Sequence, residues 1–205
     1  MLKIEIRLLD DLAWREDEIV VLKTACALES ESTPKGRSLR RAYLAMLYSH
    51  YEGFSKFAWE ECLIEISKSG YPLSRLRPSL CNTFIRSEIS TLRTSANSGF
   101  IDDVFSFRCK LLNQIPSTYE NFETSNLWPN VFTDVLNQFG MSSDFVERNK
   151  SHLKGLVGRR NEIAHGKNIG IDDNSLQDLH DSVFDVFFGF TVEIVRYCAI
   201  KGFIR

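Results

Sequence analysis

From about Ser38 to Ser67 the chain carries one uninterrupted helical pattern. Leu39, Tyr43, Met46 and Leu47 fall at i, i+4, i+7 and i+8, and Phe54, Phe57 and Leu63 continue the stripe until Gly70-Tyr71-Pro72 ends it. Such a segment forms roughly 45 Å of α-helix at 1.5 Å per residue. Helical patterning dominates the chain and strand-like alternation is scarce, so an all-α fold is expected. The rest of the sequence agrees. Leu12, Ile19, Leu22 and Ala25 set a first helix over about Asp10 to Leu28, and Glu29 to Gly36 is a polar break containing Pro34. An amphipathic segment follows Ser125-Asn126-Leu127 and runs to Phe139, closed by Gly140. Ser142 and Ser143 are natural N-caps for a helix running to about His165 and stopping at Gly166. Past a turn from Gly166 to Asp173, a last long helix carries Leu176, Leu179, Val183, Val186, Phe187, Phe190 and Ile194. Lys3-Ile4-Glu5-Ile6-Arg7 is the one brief strand-like alternation. The expectation is a single domain over residues 1–205, with about 72–140 as a helical insertion or peripheral part.

Composition limits the partners. A net charge of −2 in 205 residues is not that of a protein living on non-specific DNA affinity, so any nucleic-acid contact must be local to a cleft or created by assembly of two chains. Cys26, Cys62, Cys81, Cys109 and Cys198 show neither CxxC nor zinc-ligand spacing and read as reduced thiols. The start Met1-Leu2-Lys3-Ile4-Glu5 lacks the pattern of a signal peptide. The apolar stretch Val183 to Ile200 is broken by Asp185, Glu193 and Arg196, which suits a buried helix better than a membrane span. A soluble cytoplasmic protein without a cofactor is expected.

The candidate chemistry lies in Arg160-Asn161-Glu162-Ile163-Ala164-His165. On an α-helix, with Arg160 at zero, Ala164 falls near 40°, Asn161 near 100° and His165 near 140°, so one broad face presents a guanidinium, an amide and an imidazole around a small residue. An imidazole gives and takes protons near neutral pH. A guanidinium offers a fixed fork of donors to a phosphate gaining charge. Together they suit attack of a ribose 2′-hydroxyl on its neighbouring phosphate without a metal. Asn161 either orients the imidazole or holds a phosphate oxygen. By spacing alone the pair is weak, because a helix-end His is also a favourable partner for the helix dipole.

The surrounding residues add to this. Val157-Gly158-Arg159-Arg160-Asn161-Glu162-Ile163-Ala164-His165-Gly166 resembles the signature helix of the HEPN superfamily, an R-N-x-x-x-H core ending just before Gly. Arg40-Arg41-Ala42-Tyr43 through Leu47-Tyr48-Ser49-His50-Tyr51-Glu52-Gly53-Phe54 resembles the "Y-x-H-W-E-G-F" helix of small stand-alone bacterial members. Thr124-Ser125-Asn126-Leu127, followed by Val135 to Gly140, resembles their S-N-L…L-G segment. The resemblance implies a bundle of long antiparallel helices that dimerises and brings two motif helices to one cleft. It implies a metal-independent endoribonuclease of the toxin–antitoxin or antiviral kind. Arg160 and His165 match the catalytic pair, and Asn161 the polar position between them. Lys167 stands where members silenced by nucleotidylation carry Tyr, so that control is not expected.

Other residues are open between two readings. Tyr48 and Glu52 share a helix face; Glu52 either supports the cleft or is an ordinary solvated or paired carboxylate. Lys150, Lys154, Arg159 and Lys167 are either an RNA-attracting patch or a solvated face. His152 and His180 read as surface residues without partners, and the Phe184, Phe187, Phe188 and Phe190 cluster as burial plus a dimer interface. The alternatives to a ribonuclease acting on RNA are a non-catalytic module that binds nucleotide, nucleic acid or a partner protein, and a toxin masked by an antitoxin.

Overall fold

The computed structural model describes residues 3–85, 106, 113–116 and 126–205. Six α-helices are labelled here: α1 (Lys3–Ala27), α2 (Pro34–Lys68), α3 (Pro129–Phe139), α4 (Asp144–Glu147), α5 (Lys150–Ala164) and α6 (Asp173–Ala199). A further helical stretch, 78–85, precedes α3. Among the described residues there is no strand, only an isolated bridge between Leu76 and Ile204. No described helix is long and apolar enough to cross a membrane.

Helix α2 is the axis of the bundle. It packs against α1, α6 and α5, while α5 and α6 also touch each other. Three neighbours explain why its buried positions go round the helix: Tyr43, Leu47, Tyr48, Tyr51, Phe54, Trp59, Cys62 and Ile66 are all covered. The aromatic centre is built from edge-on pairs, Phe54 with Phe187 and Phe132 with Phe190, each with ring centroids 5.0 Å apart. That geometry sets the positive ring edge against the negative face. Cys62 and Cys198 bring α2 and α6 together as free thiols, their Sγ atoms in a hydrogen bond of 3.9 Å.

Three expectations need correction. Lys3-Ile4-Glu5-Ile6-Arg7 is the first turn of α1, not a strand. Ile4 and Leu8, four apart, are both buried, Ile6 is exposed, and Arg7 pairs with Glu61 and Glu65 of α2, so the helical period wins. Pro34 starts α2 rather than sitting in a break before it. Its missing N–H costs nothing in a first turn, and the Thr33 hydroxyl accepts from the Gly36 N–H at 2.9 Å. Gly36 must lack a side chain, because a Cβ there would collide with the Ser30 carbonyl. The helix expected from Ser142 to His165 is two helices, α4 and α5. Asn149 caps the second and turns its Nδ2 to the Phe145 carbonyl at 2.9 Å and to Asp185 at 2.5 Å. Arg148 grips the same Asp185 with two bonds of 2.5 and 2.6 Å.

Within the stretch 72–140, residues 86–105, 107–112 and 117–125 lie outside the described residues. Of those described, Leu73, Leu76, Leu80, Phe84, Leu127, Phe132, Leu136 and Phe139 are buried in the common core. The starts of α2 and α6 are joined by Arg40, whose guanidinium is buried and donates to both carboxylate oxygens of Asp173 at 2.7 and 2.8 Å.

Candidate functional site

Helix α5 is anchored by Leu153, Leu156 and Val157, the buried residues of an otherwise polar helix. Arg160 follows Leu156 by four and Val157 by three, so its side chain leaves the same flank and reaches across to α2. There its Cζ stands 4.5 Å from the centroid of the fully buried Tyr48 ring. This cation–π contact contributes about 1–2 kcal/mol when partly removed from water. Nη1 of Arg160 also donates to the amide oxygens of Asn126, at 3.1 Å, and Asn161, at 3.0 Å. The guanidinium is thus held by one ring face and by two acceptors on one nitrogen.

Tyr48 is itself fixed at its hydroxyl. The oxygen accepts the Leu127 N–H at 3.2 Å, and the Glu52 carboxylate lies close by, one turn along α2. Burial, reinforced by the charge of Glu52, pushes the Tyr48 phenol up to about 12, against the opposing influence of the Leu127 N–H and the Arg160 charge. The phenol is therefore neutral near pH 7, and its ring is a platform for the guanidinium rather than a base. Glu52 also pairs with Lys56 at 3.0 Å.

The other end of the motif is built differently. His165 is the capping residue of α5, and its side chain is exposed. Gly166 follows with φ +76, the left-handed conformation that only glycine takes at low cost. It donates to the Ile163 carbonyl at 2.9 Å, and Lys167 donates to the Glu162 carbonyl at 2.9 Å. This double closure is the Schellman arrangement, and it ends the helix at Ala164 with the imidazole on the capping residue. Among the described residues the His165 side chain makes no hydrogen bond.

The expected residues are therefore brought together in part. Arg160, Asn161 and Tyr48 form one connected cluster, with the Glu52 carboxylate close to the Tyr48 hydroxyl. Lys167 is paired with Glu162 at 3.1 Å and Lys150 with Glu147 at 2.8 Å, so half of the expected basic patch is already matched with carboxylates. Among the described residues Lys154 and Arg159 form no ion pair, and they stand near the Glu147 and Asp172 carboxyls. Among the described residues no three His, Cys, Asp or Glu side chains are grouped to hold a metal.

Two histidines expected to lack partners have them. His180 is half-buried with Nδ1 2.7 Å from the Tyr43 hydroxyl, and burial lowers its pKa. His152 Nδ1 lies 2.9 Å from the Ser182 hydroxyl. Both partners sit on a neighbouring helix, so nothing in the local spacing announces them. His50 is buried on the far side of α2 from Glu52, 3.0 Å from Glu18 and edge-on to Trp14, and burial lowers its pKa too.

Asn126 is the residue that sequence reading passed over as a functional group. It has φ +59, a left-handed conformation that Asn tolerates better than most side chains, and its carbonyl accepts the Trp128 N–H at 2.7 Å. An Asn two residues before Trp128-Pro129, at the entry to a helix, was the available signal. Elsewhere, Phe187 and Phe190 are buried as expected, while Phe188 is 69% exposed. It lines an apolar groove of about 440 Å³ between α1 and α6 with Leu9, Leu12, Phe184 and Val192, and neither Arg160 nor His165 reaches it.

Compared with known families, residues 4–203 match the one described as HEPN_MAE_28990-like HEPN. The chain is a member of that HEPN family, over nearly its whole length and including the motif helix. No curated protein and no solved structure shows a significant match.

Proposed function

We propose that this HEPN protein is a metal-independent endoribonuclease serving a toxin–antitoxin or antiviral system, with Arg160 and His165 as its catalytic pair. The observation that carries the reading is the state of Arg160: a guanidinium stacked on Tyr48 and fixed through Nη1, at one end of a helix turn whose other end offers an open imidazole. Arg160 binds the scissile phosphate and offsets the charge that grows on it. The ribose 2′-oxygen attacks phosphorus, its proton passes to an imidazole, and the bond to the 5′-oxygen breaks as that oxygen takes a proton. The products are a 2′,3′-cyclic phosphate and a 5′-hydroxyl. In a homodimer with two α5 helices facing one cleft, one His165 takes the first proton and the second copy gives the other.

The test is cleavage of mixed RNA in EDTA by the wild type beside Arg160→Ala and His165→Ala. Each substitution is expected to slow cleavage by roughly 100-fold or more. A wild type that cuts no better than the variants removes the enzyme reading, and cleavage that disappears with EDTA removes the metal-free mechanism. A non-catalytic module docking a partner protein is the second reading. The exposed apolar groove beside Phe188 favours it, and binding of RNA or a partner without cleavage would support it.

A further inference from the structure

Three observations meet on Arg160. First, the Tyr48 ring covers one face of the guanidinium. Second, Asn126 and Asn161 both accept from the same nitrogen, Nη1. Third, among the described residues Nε and Nη2 donate to nothing, so the edge they share is the one left for an anion. Planar pairing through Nε and one Nη is the bidentate geometry that suits a phosphate. Asn126 is the clamp's outer jaw. It lies 34 residues before Arg160, outside the motif helix, and is presented by a left-handed turn whose next N–H, that of Leu127, is bonded to the Tyr48 hydroxyl. Platform and jaw are thereby fastened to each other as well as to the arginine.

We infer that Asn126 is a positioning residue that, with Tyr48, turns the Nε–Nη2 edge of Arg160 toward a phosphodiester. This rests on the ribonuclease reading above and deepens it. Asn126 touches no reacting atom. It removes the freedom of a long side chain to swing, so the fork is ordered before the substrate arrives. An Arg held only by its neighbour Asn161 on the same helix would keep more of its rotamers.

The test compares Asn126→Gly, which keeps the left-handed backbone without strain and removes the amide, with Asn126→Asp, which keeps an acceptor at the same place. Two readouts are taken. Single-turnover RNA cleavage in EDTA is expected to lose roughly 10- to 30-fold in rate in Asn126→Gly, with RNA affinity changed by less than about threefold, as for an interaction that matters most in the transition state. The Nη signals of Arg160 in ¹⁵N NMR, assigned with Arg160→Lys, are expected to be separate and slowly exchanging in the wild type and in Asn126→Asp, and averaged in Asn126→Gly. Thermal melting controls for folding.

Unchanged cleavage and unchanged Arg160 signals in Asn126→Gly overturn the inference. So does equal loss in both variants accompanied by a lower melting temperature, which would assign Asn126 a purely structural role. If the wild type cleaves no better than Arg160→Ala, the ribonuclease reading fails by itself, and the NMR signals alone decide whether Asn126 positions the guanidinium.

Discussion

Arg160 is half-buried, stacked on a fully buried ring and bonded to two amide oxygens, whereas His165 on the same helix is exposed and held through its backbone alone. Under the ribonuclease reading, the difference matches what each group is asked to do. A guanidinium that binds a phosphate gains by being ordered beforehand, because every rotamer it must give up on binding weakens it. An imidazole that moves protons needs contact with solvent or substrate, and a buried one, like His50 or His180 here, has its charged form disfavoured. One helix thus carries a rigid end and an open end, five residues apart.

The contrast is broken most severely at the platform. Tyr48→Ala removes a ring with no exposed surface and is expected to cost about 3–5 kcal/mol, whereas His165→Ala stays within about 0.5 kcal/mol of the wild type. Urea denaturation measures both, and similar losses would show that the two ends are equally embedded. Next comes the fork. Under the ribonuclease reading, Arg160→Lys is expected to lose roughly 100-fold in single-turnover cleavage, close to Arg160→Ala, since an ammonium neither stacks as a plane nor donates along an edge. A lysine variant at the wild-type rate would mean that charge alone suffices.

Two glycines sharpen the open end. Gly166→Ala is expected to cost about 1–2 kcal/mol, because φ +76 is strained for any side chain although nothing crowds the position. Gly158→Ala, inside the same helix and equally uncrowded, is expected to stabilise by about 0.5–1 kcal/mol. Melting curves with the same sign at both sites would refute the assignment of the helix end. The smallest effect is one of pH. Burial depresses the pKa values of His50 and His180, so the unfolded chain takes up protons that the folded one refuses. Stability is then fully present above about pH 6.5 and is lost as pH falls through the lower folded values. Melting followed from about pH 7.5 to 5.5 checks this, and His180→Gln should flatten the slope.

Much of this was legible in the chain. The stripe from Leu39 to Leu63, the apolar run of α6 and the closing Gly140 and Gly166 all report local periodicity or a local dihedral, and they read correctly. The motif helix was legible for the same reason, with Gly166 marking its end. What could not be read depends on partners far along the chain. The α4–α5 break is held by Asp185, 37 residues beyond Arg148 and 36 beyond Asn149. His180 finds Tyr43 across 137 residues. The first turn of α1 looked like a strand because five residues fit both periods, and Glu61 and Glu65 decided between them. Asn126 carried its signal in backbone conformation, which the letter Asn permits but does not announce.

The Arg40–Asp173 pair has a consequence for the order of assembly. Its partners are 133 residues apart, so the salt bridge closes only when most of the chain has been gathered. Helices α1 and α2 are neighbours in sequence and can meet early, at low loop-closure cost. Until α6 arrives, the Arg40 guanidinium has, among the described residues, the Glu29, Gly36 and Cys26 carbonyls to satisfy it. A chain emerging N-terminus first therefore carries a half-satisfied cation at the root of its longest helix, and the arrival of Asp173 is the event that completes it.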